Sequence, residues 1–173
     1  MTTVQQLYEA MQALAPLELA ESWDNPGLLV DCGGEVTRVL VTLDITPEVV
    51  TEAAAKHCEA IVAHHPVIFD PLKKLGPQDV PFQLVRAGIS AICMHTNLDA
   101  APGGVNDALA AALGLEDPGP LEVTDGICRV GHLSSPMPFQ AFAQHVCRCL
   151  RANGVRYAGA EDPVQKIAVG GGA

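Results

Sequence analysis

Three short apolar runs, residues 36–43 (VTRVLVTL), 60–63 (AIVA) and 89–94 (ISAICM), alternate with helix-like segments. Apolar runs of this length, bounded by turn residues, read as strands buried on both faces. The segments between them carry helix punctuation. Residues 48–57 begin beside Pro47, which suits a helix start, 80–87 (VPFQLVRA) close on Gly88, and 104–113 (GVNDALAAAL) close on Gly114. The order βαβαβα predicts an α/β fold with a mainly parallel sheet flanked by helices. Ahead of it, Val4, Leu7, Tyr8, Met11 and Leu14 place one apolar stripe on a first helix that Pro16 ends.

The texture changes after Pro118-Gly119-Pro120. Residues 126–133 read as a strand, 138–150 as a helix with Phe139, Phe142, Val146 and Leu150 on one side, and 155–158 as a short strand. Residues 166–169 (KIAV) read as one more buried strand, entering Gly170-Gly171-Gly172. The expected organisation is a first α/β lobe over 1–120 and a second lobe over 121–173. A strand running into a glycine-rich turn ordinarily hands over to a helix, so the second lobe is expected to be incomplete. With 173 residues, 49% of them hydrophobic and 17% charged, the chain can bury a sizeable core.

A net charge of −10 repels polyanions, and the densest basic segment, Arg148 to Arg156, holds three arginines on an expected helix and turn. That pattern describes a solvated face, and nucleic acid is not expected as a partner. No apolar run reaches the ~20 residues of a membrane span, and the N-terminus lacks the basic-then-apolar order of a signal sequence, so a cytoplasmic location without a membrane partner is expected. The six cysteines (Cys32, Cys58, Cys93, Cys128, Cys147, Cys149) form no Cys-x-x-Cys pair and sit mostly in apolar stretches. They read as reduced thiols that pack as small hydrophobes.

Ligands of parallel sheets collect where the strands end. Past AIVA stand His64, His65 and Pro66; past ISAICM stands His95, with Asp99 four residues on; past VLVTL stands Asp44. Two adjacent imidazoles between AIVA and PVIF are costly to bury without partners, and a metal supplies one. A chain leaving its strand into a proline-bearing loop can turn both rings toward the crevice and offer each to a different ion, which favours two divalent ions over one. Imidazole mixed with carboxylate suits Zn, Mn, Fe or Co better than Ca or Mg. Asp44 fits equally a cap for the helix at Pro47 or a group that orients a ligand from behind; Asp99 also fits a turn. Gly103-Gly104 with Asn106-Asp107 reads either as a turn and helix cap or as a place where a ligand approaches the backbone. His57, His132 and His145 have no polar partner at useful spacing and read as structural.

The strings SWDNPGLLV (22–30), AHHPVIF (63–69) and HTNLDAAPGGVND (95–107) resemble, in this order, three N-terminal signatures of the Nif-three-like proteins, also labelled GTP cyclohydrolase type-two homologues. The resemblance implies two α/β lobes assembled as a toroidal homohexamer with dinuclear metal sites facing inward. It carries metal ligands onto His64, His65 and Asp99, with His95 as a further ligand, a group behind one, or the catalytic residue that moves protons. Trp23, Asp24 and Asn25 match the first signature, where they either line the site or form a Trp plug with an Asp-Asn-Pro-Gly turn. The family's C-terminal histidine and glutamate lie on a helix beyond the glycine-rich strand and have no counterpart here. The implied activity is a metal-dependent hydrolase acting on a small molecule, a purine nucleotide such as GTP. The alternative is a non-catalytic metal-binding or protein-interaction module.

Overall fold

The structure, a computed structural model, describes residues 1–159 and 162–171. The chain forms two compact units, Met1–Ala101 and Pro102–Ala173. In the first, a two-residue strand β1 (Thr2–Thr3) leads into α1 (Val4–Leu14). Thr3 opens this helix with a reciprocal cap, accepting from the Gln6 amide while the Gln6 side chain accepts from the Thr3 amide. Then follow β2 (Gly27–Val30), β3 (Glu35–Val36), β4 (Val39–Thr42), α2 (Pro47–Ala55), β5 (Ala60–Ala63), α3 (Val80–Ala87), β6 (Ser90–Cys93) and α4 (Thr96–Ala100). Pro47 stands at the start of α2, whose cap is Thr46, and Gly88 ends α3 in the left-handed conformation at φ 69°.

The main sheet has the order β2-β6-β5-β4. Strands β4, β5 and β6 are parallel, whereas β2 joins β6 antiparallel, so the sheet is parallel only in part. The antiparallel edge arises because β2 follows directly from the 22–26 segment rather than from a crossover helix. Gly27 makes the entry with φ 123°, and a Cβ there would meet the Tyr8 hydroxyl at 3.1 Å. The apolar run at 36–43 is also two strands, β3 pairing with β1 and β4 with β5. Strands β5 and β6 are buried throughout. On one face Ile61, Ala63, Ala91 and Cys93 pack with Val50 and Ala53 of α2 and Leu84 of α3; on the other, Val62 and Ile92 pack with Leu7, Tyr8 and Met11 of α1. Burial on both faces accounts for the lack of polar alternation in these strands.

The second unit contains α5 (Val105–Ala112), β7 (Glu116–Pro120), β8 (Arg129–Met137), α6 (Phe139–Cys149) and β9 (Val164–Val169). Its sheet, β7-β8-β9, is antiparallel. Pro118-Gly119-Pro120 therefore lies in an edge strand, inside the second compact unit that begins at Pro102. Proline is tolerated there because an edge strand need not donate on its open side. Gly131 lets β7 approach closely, since a Cβ would sit 2.9 Å from the Glu116 carbonyl. The core joins Ala110 and Leu113 of α5 to Leu133, Ile167 and Val169, with Phe142 and Val146 of α6 against them. Residues 155–158 form no strand; Tyr157 instead meets Phe139 edge to face at 5.7 Å. Of the terminal glycines, Gly172 lies outside the described residues. All six cysteines are free, and among the described residues no helix is long and apolar enough to cross a membrane.

Candidate metal centre

The parallel strands set the position of the site. Thr42, Ala63 and Cys93 are register partners across β4, β5 and β6, so the three strands end level. Beyond them, the amides of His64 and His65 still donate to the carbonyls of Thr42 and Leu43, at 3.3 and 3.0 Å, and Met94 donates to Ala63 at 2.9 Å. The ladder thus carries the histidines outward on a rigid backbone. His95 follows as the residue preceding α4, and its carbonyl accepts from the Asp99 amide at 3.1 Å, which brings Asp99 back over the site.

The rings of His64, His65 and His95 converge, with centroids 5.1, 5.1 and 5.6 Å apart. One nitrogen from each lies within 4.8 Å of the others, a group that could hold a metal ion. Every Nδ1 already has a partner: the Met94 carbonyl for His64 at 2.9 Å, Asp44 for His65 at 2.7 Å, and Asp24 for His95 at 2.8 Å. A carbonyl or carboxylate can only accept, so each neutral ring keeps its proton on Nδ1 and presents the Nε2 lone pair. Asp44 therefore stands behind His65 and does not cap α2.

Among the described residues, Asp24 accepts four hydrogen bonds. Burial pushes its carboxyl up, but bonds from the Thr96 hydroxyl at 2.5 Å, His95, and the amides of Thr96 and Asn25 outweigh this and hold it below its usual range. Asp99 behaves oppositely. It is 3% exposed, and burial raises its carboxyl against the opposing influence of His64 and His95. Among the described residues, its Oδ1 is the only buried side-chain nitrogen or oxygen without a hydrogen-bond partner, and it lies 3.7 Å from His64 Nε2. A carboxylate oxygen facing an imidazole lone pair is unfavourable unless a proton or a cation lies between them. The donor set fits a divalent ion.

His132 and His145 lie in the second unit, where His145 bonds to the Leu113 carbonyl at 3.0 Å, and His57 ends a helix with φ 54°. None joins the cluster. Unforeseen was the carbonyl of Met94 behind His64, for which a backbone atom leaves no sequence signal; Asn25, matched to the first signature, donates its Nδ2 to the Ile68 carbonyl at 2.7 Å.

Residues 2–173 match the family described as Duf34/NIF3 (NGG1p interacting factor 3). The chain belongs to this family. Among Duf34/NIF3 relatives, a Staphylococcus aureus (strain Mu50) protein named GTP cyclohydrolase 1 type 2 homolog is 49% identical over 106 residues, 59% of this chain and 29% of its own length. The Saccharomyces cerevisiae protein named NGG1-interacting factor 3 is 43% identical over 107 residues, 54% of this chain and 37% of its own. The matched segment thus spans about a third of the length of these curated relatives. The crystal structure of a Staphylococcus aureus hypothetical protein superposes with a TM-score of 0.89 at 28% identity, covering 99% of this chain and 72% of that one.

Proposed function

We propose that this Duf34/NIF3 chain is a divalent-metal protein whose ligands are His64, His65, His95 and Asp99, and that the whole protein is a metal-dependent hydrolase. The observation that carries the reading is Asp99 Oδ1, buried without a donor 3.7 Å from His64 Nε2, beside a cluster of three imidazoles whose Nδ1 atoms are already engaged. His95 joins the ligands rather than the proton-moving groups, because Asp24 holds its Nδ1 as Asp44 holds that of His65. Asp24 and Asp44 fix ring orientation and raise the basicity of Nε2. Bound there, Zn, Mn, Fe or Co would bring the pKa of a coordinated water toward neutrality.

One ion held by all four donors would keep a place for water only by expanding its coordination beyond four, and a second ion would need donors beyond them. Metal-to-chain ratios from elemental analysis after dialysis distinguish one ion from two, and a ratio of zero after loading with Zn or Mn sinks the proposal. The name of the Staphylococcus aureus relative supports a purine nucleotide such as GTP as substrate. The name of the yeast relative supports a second reading, a protein-interaction module without turnover. Metal-dependent release of formate or phosphate from GTP by the metal-loaded protein separates the two. Assembly as a homohexamer, in the cytoplasm and without nucleic-acid or membrane partners, belongs to the same proposal; light scattering tests the assembly.

A further inference from the structure

Trp23 and Phe69 are large aromatic residues left 59% and 48% exposed, with ring centroids 6.1 Å apart and planes inclined at 48°. Trp23 also stands edge-on to His95, at 6.3 Å between centroids. Exposed aromatic side chains are ordinarily free to sample rotamers, but the backbone carrying these two is tied down. Glu21 donates its amide to the Thr96 hydroxyl at 3.0 Å, and Asp24 accepts from His95 and Thr96, so both neighbours of the 22–23 segment are fixed to the start of α4. Asn25 then donates to the Ile68 carbonyl, which fastens the loop bearing Phe69 to the loop bearing Trp23. The polar residues that orient His95 thereby also hold the two tilted rings against each other beside it, with their outer faces exposed.

We propose that Trp23 and Phe69 form a recognition cleft for a planar heteroaromatic ring carrying an anionic group, which places that group toward the histidine cluster. The inference rests on the metal reading above and names the specificity residues of the same site. A tilted aromatic pair offers π faces to a flat ring, and stacking of a base on an aromatic side chain is commonly worth about tenfold or more in affinity. An anionic substituent complements a bound cation, which offsets the repulsion expected from a chain of net charge −10. An aliphatic ligand would gain nothing from the ring geometry.

Trp23 is the only tryptophan, so the cleft carries its own reporter. Guanosine 5′-monophosphate is expected to quench its emission, whereas ribose 5-phosphate, with the same anion and no ring, is expected not to. Phe69→Ala should weaken guanosine monophosphate binding about tenfold without changing ribose 5-phosphate binding or metal content. By calorimetry, Trp23→Ala should lose about as much while Trp23→Phe recovers most of it. Equal response to both probes, or unchanged affinity in Phe69→Ala, overturns the cleft. So does a change in molecular mass on Phe69→Ala, which makes the pair a contact between copies of the chain. Elemental analysis of the same samples keeps the two readings apart. Quenching by guanosine monophosphate in metal-free protein supports the cleft while the metal reading falls; metal-loaded protein without quenching overturns the cleft alone.

Discussion

The two units bury polar side chains in opposite ways. In the second, Arg129 donates to Asp107 and to the carbonyls of Gly126, Ile127 and Cys128, and Asn106 bonds to the Ile127 carbonyl and the Gly171 amide. Each group has its partner in the surrounding turns. In the first, Ser90, Thr96 and Asn97 are likewise paired, but Asp99 Oδ1 is not, and it lies 3.7 Å from Nε2 of His64, one of the three clustered imidazoles. A closed polar network fixes a fold, whereas a network lacking one positive charge is organised for a guest. Burial alone does not separate structure from function; completeness of pairing does.

The contrast predicts that variants in the two units fail differently. The largest effect should come from Arg129→Ala, which leaves Asp107 and several carbonyls without their donor and should cost ~3 kcal/mol in urea unfolding. Its metal content per folded molecule should be unchanged, and loss of metal in this variant would break the comparison. Next, His64→Ala, His65→Ala and His95→Ala should each lower metal affinity at least about tenfold, while His132→Ala does not. In chelator their stability should fall by only ~1 kcal/mol, the scale of one hydrogen bond. Elemental analysis beside urea titration reads both quantities, and retention of full metal by the His64 and His65 variants would make the pair structural.

Asp99→Asn sharpens the point by reversing the usual sign. Burial raises the Asp99 carboxyl above its ordinary 3.8 in the fold, so the folded chain binds more protons than the unfolded one as pH climbs through and beyond that value. Stability contributed at acid pH is therefore lost on the way to neutrality. Asp99→Asn should raise metal-free stability at pH 7 by ~1 kcal/mol while lowering metal affinity. A drop in metal-free stability would show that the carboxylate is already satisfied. The smallest effect concerns Glu59, an exposed residue held down to about 2 by the amides of Thr37 and Arg38. Its contribution is present above the unfolded value of 4.5 and vanishes as pH falls toward about 2. Thermal unfolding should show Glu59→Gln slightly less stable than the parent at pH 6, with the gap closing by pH 2.5.

Local features were readable from the residues alone. AIVA is β5 over Ala60–Ala63, and VPFQLVRA is α3 over Val80–Ala87, because buried strands and glycine-terminated helices announce themselves over a few neighbouring positions. The placement of His64, His65 and His95 past strand ends followed from the same pattern. Long-range pairing was not readable. The antiparallel direction of β2, the break between β3 and β4, and the antiparallel second sheet depend on which edges meet, and short apolar runs do not encode that. Asp24 illustrates the limit at the site: its bonds to His95 and Thr96 span 71 and 72 residues, and locally it is only an acidic residue beside a Pro-Gly turn.

The level ending of β4, β5 and β6 makes strand length part of the chemistry. Inserting one residue within Ala60–Ala63 would advance the following histidines by about 3.3 Å and turn each toward the opposite side of the sheet. A conservative exchange such as Ile61→Val would leave their positions alone at a cost of ~1 kcal/mol. The centre should thus accept varied spelling in its buried strands while rejecting a single-codon insertion or deletion. In a protein of this kind, gaps within the strands would mark loss of the site more reliably than replaced letters.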